Sequence, residues 1–163
     1  MQTSLYDETI HSLRNRGVAL KDIGELVLFL QKQYYPDLTI EDCLYNIERV
    51  LKKREVQNTI LTAIALDTFA EQKKFQEPLQ TFIHNDEGLY GVDETLALAI
   101  INIYGSIGFT NFGFLDKEKP GILGVLNEHK NNSCHTFLDD IVSAIAAAAA
   151  SRLAHNMSEQ NKG

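Results

Sequence analysis

The chain has 163 residues, of which 44% are hydrophobic, and 22 Asp and Glu against 15 Lys and Arg give it a formal charge of -7. That length suits one domain burying about two thirds of its unfolded surface, and the acidic balance argues against a nucleic-acid partner. Two cysteines, Cys43 and Cys134, without CxxC or Cys/His spacing exclude a disulfide scaffold and a structural zinc site, and suit a reducing cytoplasm.

The opening MQTSLYDETIHSLRNRG carries acids and no apolar segment of signal-peptide type. The longest uncharged stretches, 95 to 115 and 141 to 151, are broken by glycines or made mostly of alanine, so no transmembrane span is expected. Apolar residues recur at three- and four-residue spacing almost throughout, which predicts an all-α single-domain bundle of about six to eight helices. N-terminal helices occupy 1–55, a core 56–156 and a disordered tail 157–163.

In chain order, a short helix runs from Ser4 to Asn15 and is closed by Gly17. A second carries the stripe Leu20, Ile23, Leu26, Val27 and Leu30 and ends at Tyr34, before Pro36. Thr39, with Asp42 three residues on, reads as the capping box of a third helix whose C-terminus takes Lys52, Lys53 and Arg54. Val56, Ile60, Ile64 and Phe69 define a fourth, to about Lys74, and a short turn of helix is expected around Phe82. A helix with an acidic start at Asp93 closes at Gly105. GSIGFTNFG is too glycine-rich for a stable helix interior and reads as a loop or a broken helix, after which Asp116 begins another short helix. The last helix is central: Leu138, Ile141, Val142 and Ile145 form one face, and alanine or serine covers the rest from Ile141 to Ser151.

Carboxylates gather at the expected helix starts: Asp93 with Glu94, Asp116, and Asp139 with Asp140. Capping explains any one of them, and Thr136-x-x-Asp139 has the pattern of a capping box. Capping needs only one acid, however, and five brought together would repel one another unless a hard divalent cation, Mg²⁺ or Mn²⁺, were bound by their oxygens. Lys119 is then a compact positive charge for a substrate phosphate. Asp67 and Glu71, at i and i+4, share a face and reach either a metal or solvent. The five histidines, His129 among them, show no HExxH or repeated spacing and suit surface or capping roles.

These acidic motifs resemble those of the phosphatidylglycerophosphatase A family, over residues 60 to 155. GVDETLALAI resembles the family's hydrophobic-Asp-Glu at Asp93 and Glu94. FGFLDKEKPG matches its aromatic followed by Asp-x-x-Lys-Pro at Phe112, Asp116, Lys119 and Pro120, and the Asp-Asp pair before an apolar helix is matched at Asp139 and Asp140. The chain is most similar to the soluble, YutG-like branch of Gram-positive bacteria. It departs from the membrane-embedded members at two points: no PGTxGS-type segment precedes residue 60, and Gly113 stands where an arginine follows the phenylalanine.

The resemblance implies a cytoplasmic magnesium-dependent phosphatase, peripheral to the membrane if its phosphomonoester is a lipid headgroup rather than a soluble small molecule. Asp93, Glu94, Asp116, Asp139 and Asp140 would be metal ligands, with Asp116, Lys119, Asp139 and Asp140 catalytic. The alternative is a metal-dependent binding or regulatory protein for a phosphorylated ligand, which the loss of an arginine at Gly113 favours. The aromatic and aliphatic residues of LVLFLQKQYYP and FTNFGFL exceed what one small bundle covers, so a homo-oligomer is expected.

Overall fold

From Leu138 to Ser151 every residue of the last helix is buried, whichever way its side chain points. The computed structural model, which describes residues 3–128 and 132–160, makes this helix the axis of an all-α bundle. The elements are α1 (Leu5–Asn15), α2 (Leu20–Gln31), α3 (Ile40–Leu51), α4 (Arg54–Glu71), α5 (Leu79–His84), α6 (Val92–Ile101), α7 (Ser106–Glu118), α8 (Ile122–Asn127) and α9 (Leu138–Gln160). These are nine helices against the six to eight expected, with no strand among the described residues. Helices α2, α3, α6 and α7 pack directly on α9, α4 and α8 touch it less extensively, and α1 joins the bundle through α4.

Small side chains let these neighbours approach. Alanines 144 and 146–150 are fully buried along α9. At Gly108 of α7 an added Cβ would lie 3.1 Å from Ile101 Cγ2 of α6 and 3.4 Å from Ser151 Oγ of α9, so glycine lets α7 sit close to the end of α6 while it packs on α9. The predicted capping box of α3 is present: Thr39 Oγ1 accepts the Asp42 N–H at 3.2 Å and the Asp42 carboxylate accepts the Thr39 N–H at 3.0 Å.

Several boundaries differ from the sequence reading. The glycine-rich stretch after Gly105 is the body of α7, because Phe112 and Leu115 are buried and Gly108 fits against α9; tertiary packing outweighs the propensity cost of glycine. Asp116 therefore lies in the last turn of α7 rather than at a helix start, and the next helix opens at Ile122. Helix α2 stops at Gln31, short of Tyr34, and Arg54 begins α4 instead of ending α3. Phe69 is 45% exposed and stands outside the buried stripe of α4. Helix α9 runs on to Gln160, into the segment expected as a tail, and 161–163 lie outside the described residues.

Candidate active site

Three helices bring the predicted acids to the N-terminal end of α9. Helix α6 contributes Asp93 and Glu94 from its first turn, α7 contributes Asp116 from its last, and α9 contributes Asp139 and Asp140 from its first. The edge-on contact of Tyr90 with Phe137, ring centres 5.9 Å apart, sets the start of α6 beside the start of α9. Asp93, Asp139 and Asp140 are buried, whereas Asp116 keeps 37% of its side chain exposed.

Lys119 caps α7 in a left-handed conformation, φ 46°. The turn that follows directs its Nζ between two of the acids, 3.2 Å from Asp116 Oδ1 and 3.4 Å from Asp139 Oδ2. Burial would lower the pKa of this ammonium, but the charges of Asp139 and Asp116 hold it above its ordinary value. One lysine does not neutralise the cluster. Burial, with Asp139 and Asp93 alongside, pushes the Asp140 carboxyl far above the usual range. Burial also raises Asp139, against the pull of Lys119. Partial burial and the charges of Asp93, Asp116 and Asp86 raise Glu94. Both carboxyls of the α9 pair are raised, because the low-dielectric site disfavours two adjacent charged carboxylates.

Asp86 is a member of this cluster that the sequence reading missed. It sits in the turn between α5 and α6 at φ 51°, and its charge raises both Asp139 and Glu94. The Thr136 hydroxyl donates to the Ile83 carbonyl and so ties that turn to the segment entering α9. The only sequence signal was an acid inside NDEG, which reads as turn chemistry alone.

The capping box expected at Thr136 and Asp139 does not form, since Thr136 is committed to Ile83. The α9 N-terminus is capped instead by Asp67 of α4, whose two carboxylate oxygens accept the N–H groups of Phe137 and Leu138, each at 2.9 Å. Asp67 is fully buried, and burial lifts its pKa to about 7 against the pull of those N–H groups and of Arg16. Glu71, one turn on, takes the Arg16 guanidinium in two bonds of 3.0 and 2.6 Å and the Cys134 N–H at 2.7 Å. Arg16 also donates to the Cys134 carbonyl at 2.6 Å and lies 3.2 Å from His135 Nδ1. Asp67 and Glu71 are thus neither solvated acids nor first-choice ligands; they fix the position from which Asp139 and Asp140 project. His135 belongs to this network rather than to the surface, and His129 lies outside the described residues.

As placed, no three His, Cys, Asp or Glu side chains among the described residues stand close enough together to hold an ion. Lys119 occupies the space between Asp116 and Asp139. The donor chemistry nevertheless fits a hard divalent cation: every candidate ligand is a carboxylate oxygen, and the negative charge exceeds what Lys119 offsets. Two clefts, of about 730 and 500 Å³, lie away from these acids.

No helix among the described residues is long and apolar enough to cross a membrane. The chain is 67% identical to the protein YutG of Bacillus subtilis (strain 168) over 143 residues, 88% of this chain and 86% of that one. Its structure is similar to that of the low temperature requirement C protein from Listeria monocytogenes, with a TM-score of 0.93 and 59% identity over 97% of this chain and 99% of that one. It is also similar to the crystal structure of YpjQ from Bacillus subtilis, at a TM-score of 0.92 and 52% identity over 96% of each chain. The family model described as phosphatidylglycerophosphatase A matches residues 10–155. That span takes in the second half of α1 and all of α2 and α3 as well as the acidic motifs, so the site and the helices that support it fall in one unit, and the chain belongs to the phosphatidylglycerophosphatase A family.

Proposed function

We propose that the chain is a magnesium-dependent phosphomonoester hydrolase in which Asp93, Glu94, Asp116, Asp139 and Asp140 hold the metal. The observation that carries this reading is the excess of carboxylate at the α9 N-terminus, where burial and mutual repulsion push Asp139 and Asp140 up while a single lysine stands among them. Such an arrangement costs stability and makes sense as a cation site.

The chemistry supplied by a bound divalent ion would be polarisation of the phosphoryl group and activation of a water. The chain's own residues set the rest. Lys119, partly exposed between Asp116 and Asp139, offers a positive charge to a phosphate arriving from solvent. The α9 N-terminus adds the favourable end of its dipole, and Asp67 and Arg16 hold that terminus in place. The substrate class is a phosphomonoester, on a small molecule or a lipid headgroup; the second would place the protein at the periphery of a membrane.

One observation favours a second reading. Gly113 lies on α7 one turn before Asp116, and a Cβ there would meet nothing within 4 Å. The position where other members of the family carry an arginine is open space, with no guanidinium to grip a phosphate. A binding protein that senses a phosphorylated ligand without hydrolysing it would tolerate this. Titration of Mg²⁺ and Mn²⁺ into metal-stripped protein, followed by thermal denaturation and by phosphate release from a panel of phosphomonoesters, separates the possibilities. Stabilisation with turnover supports the hydrolase, stabilisation with ligand binding and no turnover supports the sensor, and a melting temperature indifferent to millimolar metal sinks both.

A further inference from the structure

The two apolar stretches that exceed the needs of one bundle, one in α2 and its exit and one in α7, meet on the surface. The rings of Phe29 and Phe114 stack with centroids 5.9 Å apart and planes inclined by 11°, yet they remain 50% and 46% exposed. Tyr34 beside them is 66% exposed, and the three side chains line one cleft with Asn111. The Asn111 Nδ2 is buried without an acceptor in the chain. Along α7, Ile107, Thr110 and Phe114 fall at i, i+3 and i+7, so the exposed Ile107 extends the same face. We infer that this α2–α7 face is where a second copy of the chain docks.

Size fits that occupant without requiring it. An aromatic side chain buries ~150–250 Å² when fully covered, so the exposed parts of Phe29, Tyr34, Phe114 and Ile107 amount to roughly 400 Å² of mainly apolar surface. That lies within the range of the largest patch a monomer tolerates. It is also close to the apolar share of the ~800 Å² that each partner contributes to a standard interface.

Charge selects a copy of the same chain over an unlike partner. Away from this face, two chains that each carry -7 repel one another. Along the exposed stripe of α2, however, Glu25, Phe29 and Lys32 stand at i, i+4 and i+7, with opposite charges nearly equidistant from the phenylalanine. A two-fold axis near Phe29 runs α2 antiparallel to its copy and sets each Glu25 against the other chain's Lys32, the self-complementarity an isologous interface requires. Lys32 Nζ already donates to the Leu38 carbonyl at 2.9 Å, which holds the ammonium in place with two donors to spare.

Sedimentation equilibrium of the full chain tests this. The expected mass at micromolar concentration is twice the 18.3 kDa of one chain, and Phe29→Glu or Phe114→Glu, both at exposed positions, returns it to a single chain with unchanged helical circular dichroism. Glu25→Lys and Lys32→Glu each weaken association at least tenfold at low salt, and the double variant recovers it, because the contacts across the axis are rebuilt with their signs exchanged. Damage to the monomer would not be repaired by the second substitution. A chain that stays monomeric to a hundred micromolar, a dimer that survives both phenylalanine substitutions, or a double variant no better than the singles overturns the proposal.

Discussion

Asp139 Oδ1 accepts the backbone N–H of Asp140 at 2.8 Å, so the first acid of the pair is turned back along α9 while its other oxygen faces Lys119. The two carboxyls are therefore unequal. Asp139 shares a counter-charge and a chain donor, and Asp140, buried against Asp139 and Asp93, has its pKa raised further. Asp140→Asn is expected to leave the metal-free protein as stable as wild type or more so, because it removes an acid the site disfavours in charged form. It should also abolish the response to metal. In wild type that response is about 2.7 kcal/mol at a hundredfold excess over the dissociation constant, roughly 5–10 °C in a chain of this size. Thermal melts with and without Mg²⁺ decide it; an undiminished response in the variant would return Asp140 to a helix-start role.

Stability should depend on pH in the opposite sense to ordinary acid denaturation. A carboxyl whose folded pKa stands above its unfolded value holds its proton more tightly when folded, so its contribution is largest at low pH and is lost as pH rises through the folded value. Asp67, pushed up to about 7 by burial, behaves in this way, and Asp139 and Asp140 are raised as well. The melting temperature of metal-free protein should fall between about pH 5 and pH 7.5, and millimolar Mg²⁺ should flatten that fall. A metal-free profile that rises over this window contradicts the assignment.

Asp67→Ala removes both acceptors from the Phe137 and Leu138 N–H groups in a fully buried site. A lost cap together with orphaned donors costs about 2–3 kcal/mol, measurable as a lower urea midpoint. Asp67→Asn keeps one oxygen and should fall between Ala and wild type.

Gly113 offers a stability test and a functional one at the same position. The site is exposed, helical and open, so Gly113→Ala should stabilise the protein by about 0.8–1.0 kcal/mol. Gly113→Arg has room for its side chain one turn from Asp116. If the site takes a phosphate, it should bind inorganic phosphate more tightly than wild type by calorimetry in the presence of Mg²⁺. Equal affinity would place the phosphate elsewhere.

Much of this fold was legible because its signals are local. The Thr39–Asp42 box lies within four residues, and the absence of any solvated face between Ile141 and Ser151 can be read from α9 alone. The five predicted acids lie on the three helix ends gathered at the N-terminal end of α9, though no three acidic side chains among the described residues stand close enough together to hold an ion. What escaped the sequence reading depends on distant parts of the chain. Asp67 and Glu71 look like a solvated i, i+4 pair until α9 arrives, because the cap joins residues 70 apart in sequence. The glycines of α7 argue against a helix on propensity, and only the fit of Gly108 against Ile101 and Ser151 reverses that. Asp86 was hidden inside a turn whose composition already explained it.

The bond from Arg16 to the Cys134 carbonyl spans 118 residues. During synthesis the guanidinium leaves the ribosome long before the carbonyl it will bind, and the same is true of Asp67, Glu71 and every helix that later packs on α9. Until the alanine-rich segment emerges, those helices share no centre and the buried Asp67 of α4 lacks the N–H groups that satisfy it. Assembly of the bundle must therefore wait until α9 has been synthesised, and a nascent chain that lacks α9 has no assembled acid cluster.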